Sequence, residues 1–192
     1  VGGVVAARDS NGLGGRGVAP RASLVGYNAL ANDLDSEVLD ALVRDQGKNH
    51  IYNNSWGAED DGHFNAPSSR SAQVGTILNG LRNGRNGLGS IYTFAGGNGG
   101  ANGDYSVLDG NVSMLGVIPV CGTNAAGKRA PYSEPGPNLI VCAPSSDVGQ
   151  AKGSSLPDVT TTTLQNQYTA KFNGTSAATP MISGVIALML QA

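Results

Sequence analysis

Short runs rich in β-branched and aromatic residues alternate with stretches whose apolar residues recur every three or four positions. This alternation is the strongest constraint on what the chain can fold into. "ASLVGYNAL" (22–30), "NHIYNNSW" (49–56), "SIYTFAGG" (90–97), "VIPVCGT" (117–123) and "NLIVCAP" (138–144) are predicted strands. Between the first two, Leu34, Val38 and Leu42, with Leu39 and Val43, share one face and predict a helix over Asp35 to Asp45. Between the second pair, Val74, Ile77, Leu78 and Leu81 do the same, and "NGRNGLG" ends that helix. Near-continuous apolar strands between helices belong in a parallel sheet covered on both faces. The fold class is therefore α/β. A final helix starting near Ser176 is apolar all round, so it is expected to be central and buried. Sites in open parallel sheets form beyond the carboxyl ends of the strands. That places the chemistry on "WGAEDDGHFNAP" and "GGNGGANGDYSVLDG".

The chain has 192 residues, enough for one full core. A formal net charge of −2 argues against nucleic acid or an anionic membrane as a partner. The longest apolar run, Met181 to Leu190, is broken by Ser183 and Gly184 and is too short to span a bilayer. The 29 glycines and a charged fraction of only 14 % imply tight loops in which the backbone does much of the close work. Cys121 and Cys142 fit no metal spacing and lie in predicted strands. Two buried thiols are the favoured state, with a disulfide as the alternative.

Two glycine patterns carry no ligand. Gly12, Gly14 and Gly17 match G-x-G-x-x-G literally, but they follow the helical "GGVVAAR" rather than a strand and precede "VAP". "GGNGG" lacks the Lys-Ser/Thr of a phosphate loop. "NGTSAATP" (173–180) is more specific. It puts Ser176 in the first turn of an apolar helix, where free N–H groups and the positive dipole end favour negative charge. Pro180, still in the first turns, costs less than it would mid-helix. Taken alone, the segment suits a nucleophile or a plain helix cap equally well. A serine hydroxyl is a weak nucleophile until a base takes its proton.

Four stretches together carry a family resemblance. "GTSAATP", "FAGGNGG" and "GVAPRASLVGYNAL" resemble the serine motif, the oxyanion segment and the strand after the histidine helix of subtilisin-like serine proteases (subtilases). "YNNSWGAEDDG" resembles the S-W-G-x-x-D-D-G stretch of the kexin/furin-like branch, and the likeness runs in order from Val1 to Ala192. The resemblance implies a subtilisin-like three-layer α/β/α fold with a mostly parallel sheet, incomplete at its N-terminus. It implies a secreted, extracellular serine endopeptidase that cleaves after Lys or Arg by Ser-His-Asp acyl-enzyme chemistry. Its partners would be protein or peptide substrates with a basic residue before the scissile bond, and a pro-region or chaperone. The competing expectation is a non-catalytic module of the same fold that holds basic peptides in an acidic cleft.

Carried over by motif, Ser176 matches the nucleophile, and Asn98 matches the side-chain amide that shares the oxyanion with the Ser176 N–H. Asp60 and Asp109 match acids of the primary specificity pocket, beside Trp56 and Gly57 of the same motif. Two carboxylates in a partly desolvated pocket select Lys or Arg, and Arg can be held bidentate. Asp104 and Glu134, with Asp60, match a structural calcium site, and three carboxylates suit a hard cation. Asn11, with the carbonyls of Arg8, Leu13 and Gly15, resembles part of a second calcium loop that is expected to be weak or empty. Val43 and Asn65 stand where furin-like enzymes use acids, so selectivity for multibasic sites is not implied.

Subtilase triads run Asp, His, Ser along the chain. "VGGVVAAR" resembles the continuation of the histidine segment, which would put the histidine shortly before Val1 and the aspartate further upstream. His50 and His63 lie in no matching motif. Residues 1–192 are thus expected to be the C-terminal portion of a subtilase catalytic domain without its triad Asp and His, and inactive alone.

Overall fold

The computed structural model describes residues 1–32, 34–62, 70–147 and 157–192. The elements in chain order are α1 (Gly2–Ala6), α2 (Asp35–Ala41), β1 (Ile51–Asn54), α3 (Arg70–Gly87) and β2 (Ile91–Ala95). They continue with β3 (Val117–Thr123), β4 (Val141–Pro144), β5 (Val159–Thr162), β6 (Tyr168–Phe172) and α4 (Thr175–Gln191). Strands β1 to β4 form one sheet in the order β1-β2-β3-β4, and every pairing is parallel. Strands β5 and β6 form a separate antiparallel hairpin.

Alternate strand residues feed opposite faces of the sheet. On one face Tyr52, Tyr92, Phe94 and Val117 pack with Val38, Leu42 and Ile77 from the α2–α3 side. On the other, Val120 and Ala143 meet Ala178, Met181 and Ile182 of α4. Helices therefore cover both faces, giving the three layers of an α/β subtilisin fold. Two stacked tyrosines bind β1 and β2 to the end of α2, with ring centres 5.1 Å apart. The Tyr92 hydroxyl donates to the Leu42 carbonyl at 2.6 Å and the Tyr52 hydroxyl to the Arg44 carbonyl at 2.8 Å. Burial raises the pKa of Tyr92 and pushes that of Tyr52 up to about 12.

The elements depart from expectation in four places. Residues 22–28 form no strand, and Leu24 and Val25 are 55 % and 60 % exposed. A β-rich composition needs a neighbouring strand for its amides, and no described strand pairs with this run. Helix α2 stops at Ala41 rather than Asp45, because the chain turns there and Asp45 takes a φ of +56°. The buried residues of α4 all fall within Thr175–Gly184, and beyond it Val185, Leu188 and Met189 are 43 %, 45 % and 70 % exposed. Uniform apolarity marked the helix as a packing element, but only its first half lies against the sheet and α1.

The fourth departure is covalent. Cys121 and Cys142 sit directly opposite each other in the β3–β4 register, with Cα atoms 4.3 Å apart, and form a disulfide. The expectation of two thiols is overturned. Apolar strand context suits either state, and the register decides, since it sets the two β-carbons side by side.

Candidate active site

The chain segments leaving β1 and β2 meet the first turn of α4 beyond the carboxyl ends of the sheet. Gly174 precedes the helix at φ +79°, and a side chain there would press on the Asn98 Oδ1 at 3.2 Å. The missing side chain lets the Asn98 loop and the helix start lie together. Asn98 Oδ1 accepts the Thr175 N–H at 2.8 Å and the Thr175 hydroxyl at 3.0 Å. Both donors need an oxygen, so the amide is oriented by its partners and Nδ2 is the end left to donate. Ser176, the second residue of α4, carries one of the N–H groups that a helix start leaves without an intrahelical acceptor. The structure thus brings Ser176 and Asn98 together as two donors beside one hydroxyl.

Ser176 is braced from below. Pro180 has no N–H to give to the carbonyl of Ser176, four residues earlier. That carbonyl instead accepts the Ser55 hydroxyl at 3.2 Å, and the Ser176 hydroxyl donates to the Ser55 carbonyl at 3.2 Å. Ser55 in turn accepts from Asn53 Nδ2 at 3.0 Å, and Asn53 Oδ1 accepts from Ser183 Oγ at 2.8 Å. Thr93 Oγ1 lies 2.8 Å from Ser183 Oγ and completes a polar chain running from the buried face of α4 to Ser176. A second brace holds Gly174, whose carbonyl accepts Ser145 Oγ at 2.7 Å, while Tyr132 donates to Ser145 at 2.6 Å. Thr175, Ser55, Asn53, Ser145 and Tyr132 are site residues that the motifs alone did not single out.

A cleft of about 100 Å³ opens beside Ser176, and its wall is acidic. Trp56 and Gly57 form part of its lining, together with Asp60, Asp104, Asp109 and Glu134. Trp56 packs edge-on against Phe94, with ring centres 5.5 Å apart. Asp109 is fixed by the Asn111 N–H at 2.9 Å and reaches the Ala58 N–H at 3.4 Å, close over Gly57. Asp60 accepts the Asn98 N–H at 2.8 Å, which ties the acidic wall to the amide loop.

Deeper in, Asp104 and Glu134 are buried, at 5 % and 4 % exposure. Glu134 accepts the Gly99 N–H at 3.1 Å, and Asp104 accepts the N–H groups of Tyr105 and Gly62 at 2.8 and 3.3 Å. Gly97, at φ +98°, leaves the space that the Glu134 carboxyl occupies. Burial pushes the Glu134 pKa up to about 7, opposed by the Gly99 amide and reinforced by the charges of Asp104 and Asp60. As arranged, Asp60, Asp104 and Glu134 each accept at least one backbone amide, and Asp60 and Glu134 also share a side-chain hydrogen bond. Among the described residues no three His, Cys, Asp or Glu side chains converge on an ion. The donor chemistry nonetheless fits a hard cation: three mutually repelling carboxyl groups with no cationic side chain in the cleft lining.

Asn11 stands apart from this site. Its Oδ1 accepts the Leu13 N–H at 3.0 Å in an exposed turn. His50 is exposed at the entry to β1, and Val43 is half-buried after α2. His63 and Asn65 lie outside the described residues. No helix among the described residues is long and apolar enough to cross a membrane.

A second, wider opening of about 510 Å³ adjoins the first, sharing Asn98 and Ser176, and is lined further by Tyr132, Lys171, Phe172, Asn173 and Gly174.

Comparison with known proteins agrees with this geometry. The chain is 38 % identical over 182 residues to the dibasic-processing endoprotease of Schizosaccharomyces pombe, covering 94 % of this chain and 24 % of that protein. It is 36 % identical over 195 residues to furin of Homo sapiens, covering 99 % and 23 %. The chain thus spans about a quarter of the length of these relatives. Among solved structures, the Aeromonas sobria serine protease in complex with its chaperone superposes with a TM-score of 0.81 at 26 % identity, over 98 % of this chain and 38 % of that one. The sequence profile of the subtilase family matches residues 1–192 from end to end, and the chain belongs to that family.

Proposed function

We propose that this chain carries the nucleophile, oxyanion site and primary specificity pocket of a serine endopeptidase that cuts after Lys or Arg. The observation that carries the proposal is the junction at Ser176, where a hydroxyl, two free N–H donors and an acidic cleft share one opening. Ser176 Oγ would attack the scissile carbonyl, with the developing oxyanion held by the Ser176 N–H and Asn98 Nδ2. The basic side chain preceding the bond would enter the cleft toward Asp60 and Asp109. The proton of Ser176 needs a base, and in this structure the hydroxyl is bonded to the Ser55 carbonyl. We assign the base to a histidine, oriented by an aspartate, in the part of the full-length polypeptide that precedes these residues.

Asp60, Asp104 and Glu134 would hold calcium, which supplies positive charge to the acidic wall when bound. The disulfide between β3 and β4 accords with a protein made for an oxidising compartment, in keeping with secretion. A pro-region or chaperone partner is proposed from the family resemblance and from a structural neighbour, the Aeromonas protease, which is solved with a chaperone.

The decisive experiment labels the full-length protein with a fluorophosphonate and assays peptides with Arg, Lys or Ala before the scissile bond. We expect labelling that Ser176→Ala abolishes, and hydrolysis after Arg and Lys only. Binding of Arg peptides without labelling or hydrolysis would instead support the non-catalytic module. A chelator should lower the unfolding temperature if the calcium assignment holds.

A further inference from the structure

We propose that Lys171 makes the leaving-group side of the cleft a subsite for acidic residues, so that the preferred substrate carries Asp or Glu just after the scissile bond. This deepens the protease assignment and rests on it. Two openings meet at Ser176 and Asn98. A peptide whose carbonyl sits at these two residues must place its acyl part in one opening and its leaving part in the other. The acidic opening suits the basic acyl side chain, which leaves the wider one for the residues that depart.

The electrostatics of the two openings are opposite. The first is lined by Glu59, Asp60, Asp104, Asp109 and Glu134, and the second holds no carboxylate among its described lining residues. Its one charged side chain is Lys171. That lysine is exposed and has no carboxylate within salt-bridge distance among the described residues. Its backbone is held in place. The Lys171 N–H donates to Thr169 Oγ1 at 3.2 Å, and its carbonyl accepts Asn173 Nδ2 at 3.2 Å. Because β6 runs directly into Gly174 and Ser176, the ammonium is carried on the same strand-to-helix connection as the nucleophile. An acid just after the scissile bond meets an attractive charge there, and a lysine meets a repulsive one. Opposite signs on the two sides also favour one direction of peptide binding.

The test uses the full-length protein and internally quenched peptides with Arg before the scissile bond and Asp, Ala or Lys in the two positions after it. The Asp peptide should exceed the Lys peptide in kcat/KM by roughly five- to tenfold, an advantage that shrinks at high salt. Lys171→Ala should flatten the order and Lys171→Glu should reverse it, with circular dichroism reporting that each variant folds. Lys171→Arg should keep the order even if Lys171→Glu proves unstable. Hydrolysis of all peptides with an order indifferent to Lys171 overturns this proposal alone. Failure to hydrolyse any peptide after Arg overturns the protease assignment and this proposal with it.

Discussion

At the scale of single residues, the site depends on which end of Asn98 faces the cleft. Thr175 commits the carbonyl end twice, through its N–H and its hydroxyl, so the amide needs no substrate to be oriented. Asn98→Ala should lower kcat by about 10²–10³ with little change in KM, the cost of losing such a donor in a subtilisin of the same family. Thr175→Val removes one of the two orienting bonds and should lower kcat by a smaller factor. Steady-state kinetics on an Arg peptide checks both. Ser176, Asn98 and Asp60 could be singled out from the sequence because each sits inside a short motif, whereas Asp104, Asp109 and Glu134 followed only from the family resemblance. The supports of Ser176 and Asn98 could not, because the bond from Thr175 to Asn98 spans 77 positions and that from Ser55 to Ser176 spans 121. No local pattern encodes a contact of that kind.

At the scale of elements, β1 to β4 were legible as β-branched and aromatic runs and α2 and α3 from hydrophobic period, whereas the β5–β6 hairpin was not. Its strands, "VTTT" and "YTAKF", are largely exposed and lack the apolar alternation that marks a half-buried strand. The β3–β4 disulfide closes a loop of 21 residues, and Cys121→Ser with Cys142→Ser should cost about 3 kcal/mol. Denaturant unfolding of the double variant against the parent measures it. The tyrosine pair makes a pH prediction. The folded state favours neutral Tyr52 and Tyr92 above the ordinary phenol pKa of 10.0. Their stabilising contribution is whole below pH 10.0 and is lost as pH climbs toward 12. Phenolate absorbance should therefore show Tyr52 and Tyr92 lagging the exposed tyrosines and ionising together with unfolding.

At the scale of the whole molecule, the unpaired run 22–28 and the last turns of α4 put large apolar side chains into water, among them Leu24, Val25, Leu188 and Met189. The 192 residues expressed alone should bind a hydrophobic dye and self-associate. Leu24→Lys with Met189→Lys should reduce both, as read by dye fluorescence and sedimentation. The brace beneath Ser176 has a consequence on a different axis, that of time. Helix ends ordinarily fray within the native state, so their amides exchange with solvent far sooner than the core does. The start of α4 cannot fray freely, because the carbonyl that Pro180 leaves vacant is fastened to Ser55 and, through Asn53, to the buried middle of the same helix. Amide exchange at Ala177 to Thr179 should accordingly be as slow as in β2. Ser176 then keeps its position for nearly as long as the molecule stays folded.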